Sequence, residues 1–152
     1  MNRENLYRGK RKDNGEWVYG SALFYNDRAI IILPQLAVPG LPSFGWVQYE
    51  VIPETVGQFL GEPDTNGAKI FEGDIVQAPS NLAGTEFYIG TIEFGNFDDN
   101  NENIYTGFHI KWHNVPEYST LRQSIIWWRD EPERFLKVIG NKWDNPELLK
   151  TA

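Results

Sequence analysis

Closely spaced turn residues between positions 66 and 94 constrain the fold of this chain more than any other feature. Asn66-Gly67 predicts a type I′ turn, because both residues tolerate a positive φ. Gly73-Asp74 predicts a second bend just before the apolar pair Ile75-Val76, and residues 88–94 form another strand-like run. Short strands joined by such turns build a small, strongly bent antiparallel barrel. We therefore predict an SH3-like barrel over residues 66–140.

Aromatic and β-branched runs between turn residues predict further strands along the whole chain. These runs are residues 6–11, 16–25, 28–33, 46–52, 105–112, 123–128 and 135–140. A short terminal helix is predicted after Asp144 or Asn145 as N-cap, with Pro146 in the first helical position. The predicted fold is mostly β with little helix: an N-terminal antiparallel subdomain (residues 1–60) packed on a C-terminal barrel subdomain (residues 61–152), or one compact domain. The 152 residues suffice for either arrangement.

Two surface features bear on partners. The strand at 46–52 alternates between two unlike sets of side chains, and the loop at 34–45 is unusually apolar for a linker. Loops of this length without regular structure are often functional. The loop either packs over a core or presents a contact surface.

The charge balance is acidic, with 14 Lys and Arg against 21 Asp and Glu and a net charge of −7. A nucleic-acid backbone is held by cationic contacts, so nucleic acid is not favoured as a partner. The acidic balance also favours solubility. A basic cluster at Arg8, Lys10, Arg11 and Lys12 is open to two interpretations: an anion contact, or a solvated strand edge where lysine opposes edge-to-edge pairing.

The chain contains no cysteine, which excludes disulfides, thiolate chemistry and cysteine-based zinc sites. Residues 1–5 lead into no apolar segment, and the longest apolar run, residues 29–33, is too short to cross a bilayer. We expect no signal peptide, no membrane association, no cofactor and a cytoplasmic location.

Several motifs, taken in order, resemble the YopX family of phage and prophage proteins. They are Tyr7-Arg8-Gly9-Lys10, Gly15-Glu16-Trp17-Val18-Tyr19-Gly20, Pro53-Glu54-Thr55-Val56-Gly57-Gln58-Phe59, Asn66-Gly67-Ala68-Lys69-Ile70-Phe71-Glu72-Gly73-Asp74-Ile75-Val76, Val138-Ile139-Gly140-Asn141 and Asp144-Asn145-Pro146-Glu147-Leu148-Leu149. The resemblance spans roughly residues 6–149. It implies a small, mostly β protein of a bacteriophage or an integrated prophage, acting in a bacterial host cell. It carries over no catalytic residues.

Three groups of residues have the types found in chemical sites. His109 and His113 share one side of a strand, but no Glu completes a His-Glu-x-x-His zinc motif. The acidic loop at 95–103 resembles a calcium loop but lacks its central Gly and its twelfth-position Glu. Asp74 is either a carboxylate of an acid–base pair or, as we favour, the acceptor of backbone N–H bonds in a turn.

An aromatic and basic set lies near the C-terminus, comprising Trp112, Arg122, Trp127, Trp128 and Arg129. Such sets stack on single-stranded bases, although aromatic side chains in a small β fold more often fill the core. Adjacent Trp127 and Trp128 on a strand point to opposite faces, so one of them is available for an interface.

The sequence favours a non-enzymatic protein that binds a host or phage macromolecule, alone or after self-association. The alternatives are association with single-stranded nucleic acid through the aromatic and basic set, and an acidic surface that mimics DNA to occupy a host protein. No nucleophile or acid–base constellation points to an enzyme.

Overall fold

The structure, a computed structural model, describes residues 6–34, 45–98, 104–115, 122–124 and 136–150. Most of these residues lie in strands, and the described helix is a single turn. The elements are β1 (Tyr7–Lys10), β2 (Trp17–Tyr25), β3 (Arg28–Pro34), β4 (Trp46–Val51), a 3-10 turn (Pro53–Thr55), β5 (Gly57–Pro63), β6 (Lys69–Phe71), β7 (Asp74–Pro79), β8 (Phe87–Asp98), β9 (Ile104–Trp112), β10 (Arg122–Ser124), β11 (Lys137–Asn141) and α1 (Glu147–Lys150). The mostly β prediction is confirmed.

The strands form two antiparallel sheets, of order β4-β3-β2-β1-β5-β6 and β10-β9-β8-β7-β11. The predicted closed barrel is wrong for the described residues, because neither sheet closes on itself, and the SH3-like arrangement is not confirmed. Closure of so small a sheet needs short strands and bulges that bend them. Strands β8 and β9 instead pair without a register shift from Gly90↔Trp112 to Asp98↔Ile104. The second sheet has β10 and β11 at its two edges.

The chain divides into two compact units, residues 1–59 and residues 60–152. In the first unit, β2 and β3 form a hairpin whose two-residue loop begins at Asn26, with φ of 53°. The apolar core contains Ala29, Ile31 and Val51, all fully buried. Gly9 lies against Val51 so closely that a Cβ at position 9 would overlap the valine side chain.

The core of the second unit lies on one face of the second sheet. It consists of Ile70, Val76, Ala78, Ile92, Ile110, Trp112 and Leu136. Val76, Gly90 and Trp112 lie at directly opposed positions on neighbouring strands, and Gly90 leaves room for the indole ring. Residues at the alternate positions of these strands point to the other face of the sheet.

The turn at residues 64–68 differs from the predicted type I′ turn. Gly67 N–H bonds to the Asp64 carbonyl, and Asp64 N–H bonds to the Ala68 carbonyl. Gly67 has a φ of 84°, but Asn66 is not in the positive-φ region. This is the three-residue hairpin loop with a type I turn followed by a left-handed glycine. The buried Asp64 carboxylate favours it, because it accepts bonds from the N–H groups of Asn66 and Ala68 at 2.8 Å each and of Val138 at 3.0 Å.

The bend at Gly73-Asp74 is confirmed, and it connects β6 to β7. Gly73 has a φ of 91°. Asp74 is 2% exposed, and its Oδ2 accepts a bond from Phe71 N–H at 2.8 Å. The predicted role of Asp74 as a turn acceptor is therefore confirmed.

Part of the predicted acidic loop at 95–103 is strand. Gly95 to Asp98 continue β8 and pair with β9, where the rings of Phe97 and Tyr105 stack 5.5 Å apart. This ring pair and the hydrogen bond from Thr106 to Asn96 at 2.6 Å are cross-strand contacts that stabilise the pairing of β8 with β9 in this polar segment. The remainder of that loop, residues 99–103, lies outside the described residues, as does most of the apolar loop at 34–45.

The predicted terminal helix is present as α1. Leu148 and Leu149 donate backbone bonds to the carbonyls of Asn145 and Pro146. The Asn145 Oδ1 accepts from Asn141 N–H at 3.2 Å, so this side chain is directed back to the end of β11. No helix of the described residues is long and apolar enough to span a bilayer.

Candidate functional site

The register of strands β1 to β4 sorts the side chains of the first sheet onto two faces. One face packs the core around Ile31, which pairs with Ala22 on one side and Tyr49 on the other. We call the opposite surface the outer face. Its members on these strands are Arg8, Lys10, Trp17, Tyr19, Ser21, Leu23, Tyr25, Arg28, Ile30, Ile32, Trp46, Gln48 and Glu50. The two unlike faces predicted for residues 46–52 are thus confirmed.

Large apolar side chains are exposed on the outer face. Trp46 is 73% exposed, Tyr25 68%, Leu23 51% and Tyr19 47%. Three of these side chains lie on the same side of β2, at Tyr19, Leu23 and Tyr25. Side chains two residues apart on a strand are separated by about 7 Å. Scattered single apolar residues are normal on a surface, but a group on one sheet face marks an interaction site.

The floor between these side chains is only half-buried. Ile30 and Ile32 of β3 lie in the middle, flanked by exposed Ser21 and Gln48 on the neighbouring strands. A pleated surface with two isoleucines at its centre and rings around it admits a flat or extended ligand. It does not form the deep concave pocket typical of small-molecule sites.

A charged group borders this floor. The guanidinium of Arg28 forms a forked bond with the Glu50 carboxylate, at 3.1 and 2.7 Å, and Lys12 Nζ lies 3.0 Å from the same carboxylate. These hydrogen bonds, from Arg28 first and Lys12 second, lower the pKa of Glu50 to about 2. The carboxylate holds both cationic side chains at the edge of the outer face, so they are oriented before a ligand arrives.

Two further cations lie on the same face near Trp17. The Arg8 guanidinium carbon lies 4.7 Å from the centre of the Trp17 ring, and Lys10 Nζ lies 6.0 Å from it. Arg8 is 6% exposed, whereas Lys10 is half-buried. These cation–π contacts hold the charges against the face. Part of the predicted basic cluster therefore belongs to an aromatic surface.

The net charge of the chain is unevenly distributed between the two units. Residues 1–59 contain six Lys and Arg and six Asp and Glu, whereas residues 60–152 contain eight and fifteen. The whole net charge of −7 thus belongs to the second unit. The strand residues of the outer face include three cations (Arg8, Lys10 and Arg28) and one carboxylate, Glu50.

The structure does not bring together the two described residues of the predicted C-terminal set. Trp112 is 3% exposed and its ring packs in the core, 5.8 Å from that of Tyr88. Arg122 pairs with Lys111, which neighbours Trp112 along β9, so the two side chains point to opposite faces of the second sheet. Trp112 is core packing in this structure. Trp127, Trp128 and Arg129 lie outside the described residues, and their role stays a prediction.

Arg122 belongs to a polar cluster on the non-core face of the second sheet. Glu93 Oε2 lies 3.5 Å from Arg122 Nε and 3.2 Å from His109 Nε2. The His109 ring is 2% exposed, stacks on Phe97 at 4.5 Å, and donates from Nδ1 to the Gly107 carbonyl at 3.1 Å. A base for catalysis needs a free nitrogen facing a substrate. Both ring nitrogens of His109 have protein partners, so this cluster stabilises the sheet.

His113 lies on the same face, as predicted for the two histidines. Its Nε2 is 2.7 Å from the Thr91 hydroxyl. Burial, and next the positive charge of Lys111, lower the pKa of His113 below its ordinary value of 6.5. Within the part of the chain that the structure describes, no three His, Asp or Glu side chains group as metal ligands.

A small cavity of about 260 Å³ lies beside the Glu50 charge group, lined by Arg11, Lys12, Asp13, Gln48, Tyr49 and Glu50. Arg11 stacks over the Tyr49 ring at 4.2 Å and pairs with Asp13 at 2.5 Å. The cavity is smaller than most ligand pockets, which begin at roughly 300 Å³. Its lining combines Gln48 and Glu50 of the outer face with Arg11 and Tyr49, which lie at positions of the opposite face.

Comparisons with known proteins identify the family. The family model described as YopX protein matches residues 6–150. The chain belongs to the YopX family. A crystal structure of protein EF1440 from Enterococcus faecalis is similar to it at 22% identity and a TM-score of 0.48, covering 97% of this chain and 99% of that one. No curated protein matches the chain.

In this YopX-family chain, sequence reasoning missed the outer face. The relevant signal is present in residues 17–25, where Trp17, Tyr19, Leu23 and Tyr25 all occupy odd-numbered positions. Apolar residues also occupy positions 18, 22 and 24, so periodicity alone does not say which face is covered. The pairing of β2 with β3 decides it, because Ala22 faces Ile31 in the core.

Proposed function

We propose that this protein is a non-enzymatic binding module of a bacteriophage or prophage that holds another macromolecule on its outer face. It acts in the cytoplasm of the bacterial host, alone or after self-association. The observation that carries the proposal is the exposure of Tyr19, Leu23, Tyr25 and Trp46 on one face of one sheet. A partner that covers these side chains removes apolar surface from water, and each Å² buried contributes roughly 25 cal/mol of favourable binding free energy.

The chemistry of the face favours binding over catalysis. Its aromatic rings act by stacking and burial, and its cations act by charge. Glu50, the carboxylate of this face, already binds Arg28 and Lys12. Tyr and Trp are the residues on which binding energy most often concentrates, together with Arg.

Capture from lysate of host cells tests the proposal. The immobilised full-length protein is compared with the double variant Tyr25→Ala/Trp46→Ala. We expect the double variant to capture at least roughly tenfold less of the macromolecule, because Tyr25 and Trp46 are the two most exposed rings of the outer face. Nuclease treatment of parallel samples separates captured protein from captured nucleic acid.

Phe24→Ala is the matched control. Phe24 is 58% exposed and lies on the same strand, but it pairs with Ala29 on the opposite face of the sheet. Capture that is identical for wild type, control and double variant would show that the outer face is not the binding surface. Light scattering on the same samples detects self-association through this face.

A further inference from the structure

Three exposed rings on the outer face are available to stack on flat ligands. Tyr19, Tyr25 and Trp46 are each about half exposed or more, and all three lie on one side of the sheet. Sheet faces that present aromatic side chains in this way bind unpaired bases, since every base has a flat π surface. Stacking of this kind tolerates any sequence.

Cationic side chains lie on the same face as the rings. Arg28 lies opposite Tyr25 in the strand register at the end of the β2–β3 hairpin. The Glu50 carboxylate orients both Arg28 and Lys12. Counted over its strand members and Lys12, the face carries four cations against one carboxylate. A polyanion complements this charge, whereas a neutral apolar peptide would use only the rings.

The acidic total of the chain is not the charge of the unit that contains the outer face, because the excess of acidic residues belongs to residues 60–152. Residues 1–59 carry six Lys and Arg against six Asp and Glu, so this unit is balanced in charge.

We infer that the outer face binds single-stranded nucleic acid, with bases stacked on Tyr19, Tyr25 and Trp46 and phosphates near Arg28 and Lys12. This inference rests on the proposed binding function and names its partner. Duplex bases are already stacked on one another, so they are closed to these rings. Ser21 and Gln48 are the polar side chains on the floor, and so few hydrogen-bonding groups predict little sequence preference.

Fluorescence anisotropy with a labelled oligo(dT) of about 15 nucleotides tests the inference, since single-strand-binding folds cover roughly 4–16 nucleotides. We expect binding by the full-length protein at about 20 mM salt that weakens steadily toward about 200 mM. With two or three phosphates neutralised, the slope of log K against log salt should be roughly −1.5 to −2. A duplex of the same length should bind at least tenfold more weakly.

Variants locate the contact. Trp46→Ala and Tyr25→Ala should each weaken oligo(dT) binding roughly tenfold, and Arg28→Gln should reduce the salt slope by about 0.7. Phe24→Ala, on the opposite face, should bind as wild type does. Circular dichroism and melting curves of all variants confirm that the fold is retained.

Two results would overturn the inference: no binding of oligo(dT) at low salt, or binding that neither ring substitution weakens. Preference for the duplex would also overturn it. If lysate capture depends on Tyr25 and Trp46 while oligo(dT) does not bind, the partner is a protein and the proposed function stands without this inference. If the outer-face substitutions change neither the capture from lysate nor the affinity for oligo(dT), both proposals fail.

Discussion

The indole ring of Trp143 lies directly against the α-carbon of Gly73, so that a Cβ at position 73 would overlap two of its ring carbons. Gly73 is also bonded through both backbone groups, donating to the Ile92 carbonyl and accepting from Lys142 N–H. A positive φ, a covering ring and two fixed hydrogen bonds thus coincide at one residue of the β6–β7 turn.

Gly73→Ala should therefore destabilise the protein by about 2–4 kcal/mol, because the new methyl group meets both the ring and an unfavourable φ. Urea unfolding followed by Trp fluorescence measures this difference. Gly84→Ala is the matched control, since Gly84 also has a positive φ of 67° but open space at its Cβ position. Equal losses for the two variants would show that backbone strain alone acts and that the Trp143 contact contributes nothing.

Asp64 connects the 64–68 turn to β11 through three backbone N–H groups. Asp64→Ala should lower the free energy of unfolding by about 2–4 kcal/mol, because three part-buried N–H groups lose their shared acceptor. Thermal melting measures the loss. Glu62→Ala, at an exposed acidic position on the preceding strand, should change the melting temperature little. A melting temperature of Asp64→Ala equal to that of Glu62→Ala would contradict the role assigned to Asp64.

The lowered pKa of His113 predicts a pH dependence with a definite sign. Burial favours the neutral imidazole in the folded state, so the unfolded chain binds the proton more readily as pH falls through 6.5. The contribution of His113 to folding is therefore complete above this pH and decreases below it. Urea unfolding at about pH 7.5 and about pH 5.5 should show a smaller pH difference in His113→Gln than in the wild type. An unchanged or larger difference in the variant would reverse the assigned sign.

The Glu50 carboxylate should titrate near pH 2, because Arg28 and Lys12 hydrogen-bond to its charged form. A depressed carboxyl pKa means that its contribution to stability is present above 4.5 and is lost as pH falls through about 2. Carboxyl carbon shifts in an NMR titration report this pKa directly. Arg28→Gln should raise it toward 4.5, and more than Lys12→Gln does, since Arg28 is the larger cause. A Glu50 pKa near 4.5 in the wild type would show that this group is not held together in solution.

Local patterns in the sequence anticipated the strands and several turns. The runs at 16–25, 28–33, 46–52 and 105–112 became β2, β3, β4 and β9, because β-branched and aromatic residues favour extended backbone between turn residues. The role of Asp74 followed from its position after Gly73 in a bend. The turn at 64–68 was placed correctly but given the wrong type, since the distant Val138 helps to fix the Asp64 carboxylate.

The order of motifs in the sequence by itself determined that this chain belongs to the YopX family. The sequence also determined most of the strands, because strand propensity and turn chemistry depend on neighbouring residues. The tertiary structure decided which side chains are covered. Trp112 and Trp46 look alike in the sequence, yet one is 3% exposed and the other 73%. Register is the physical reason: pairing with a distant strand selects the face that meets the core, and a slip of one residue would exchange the two faces.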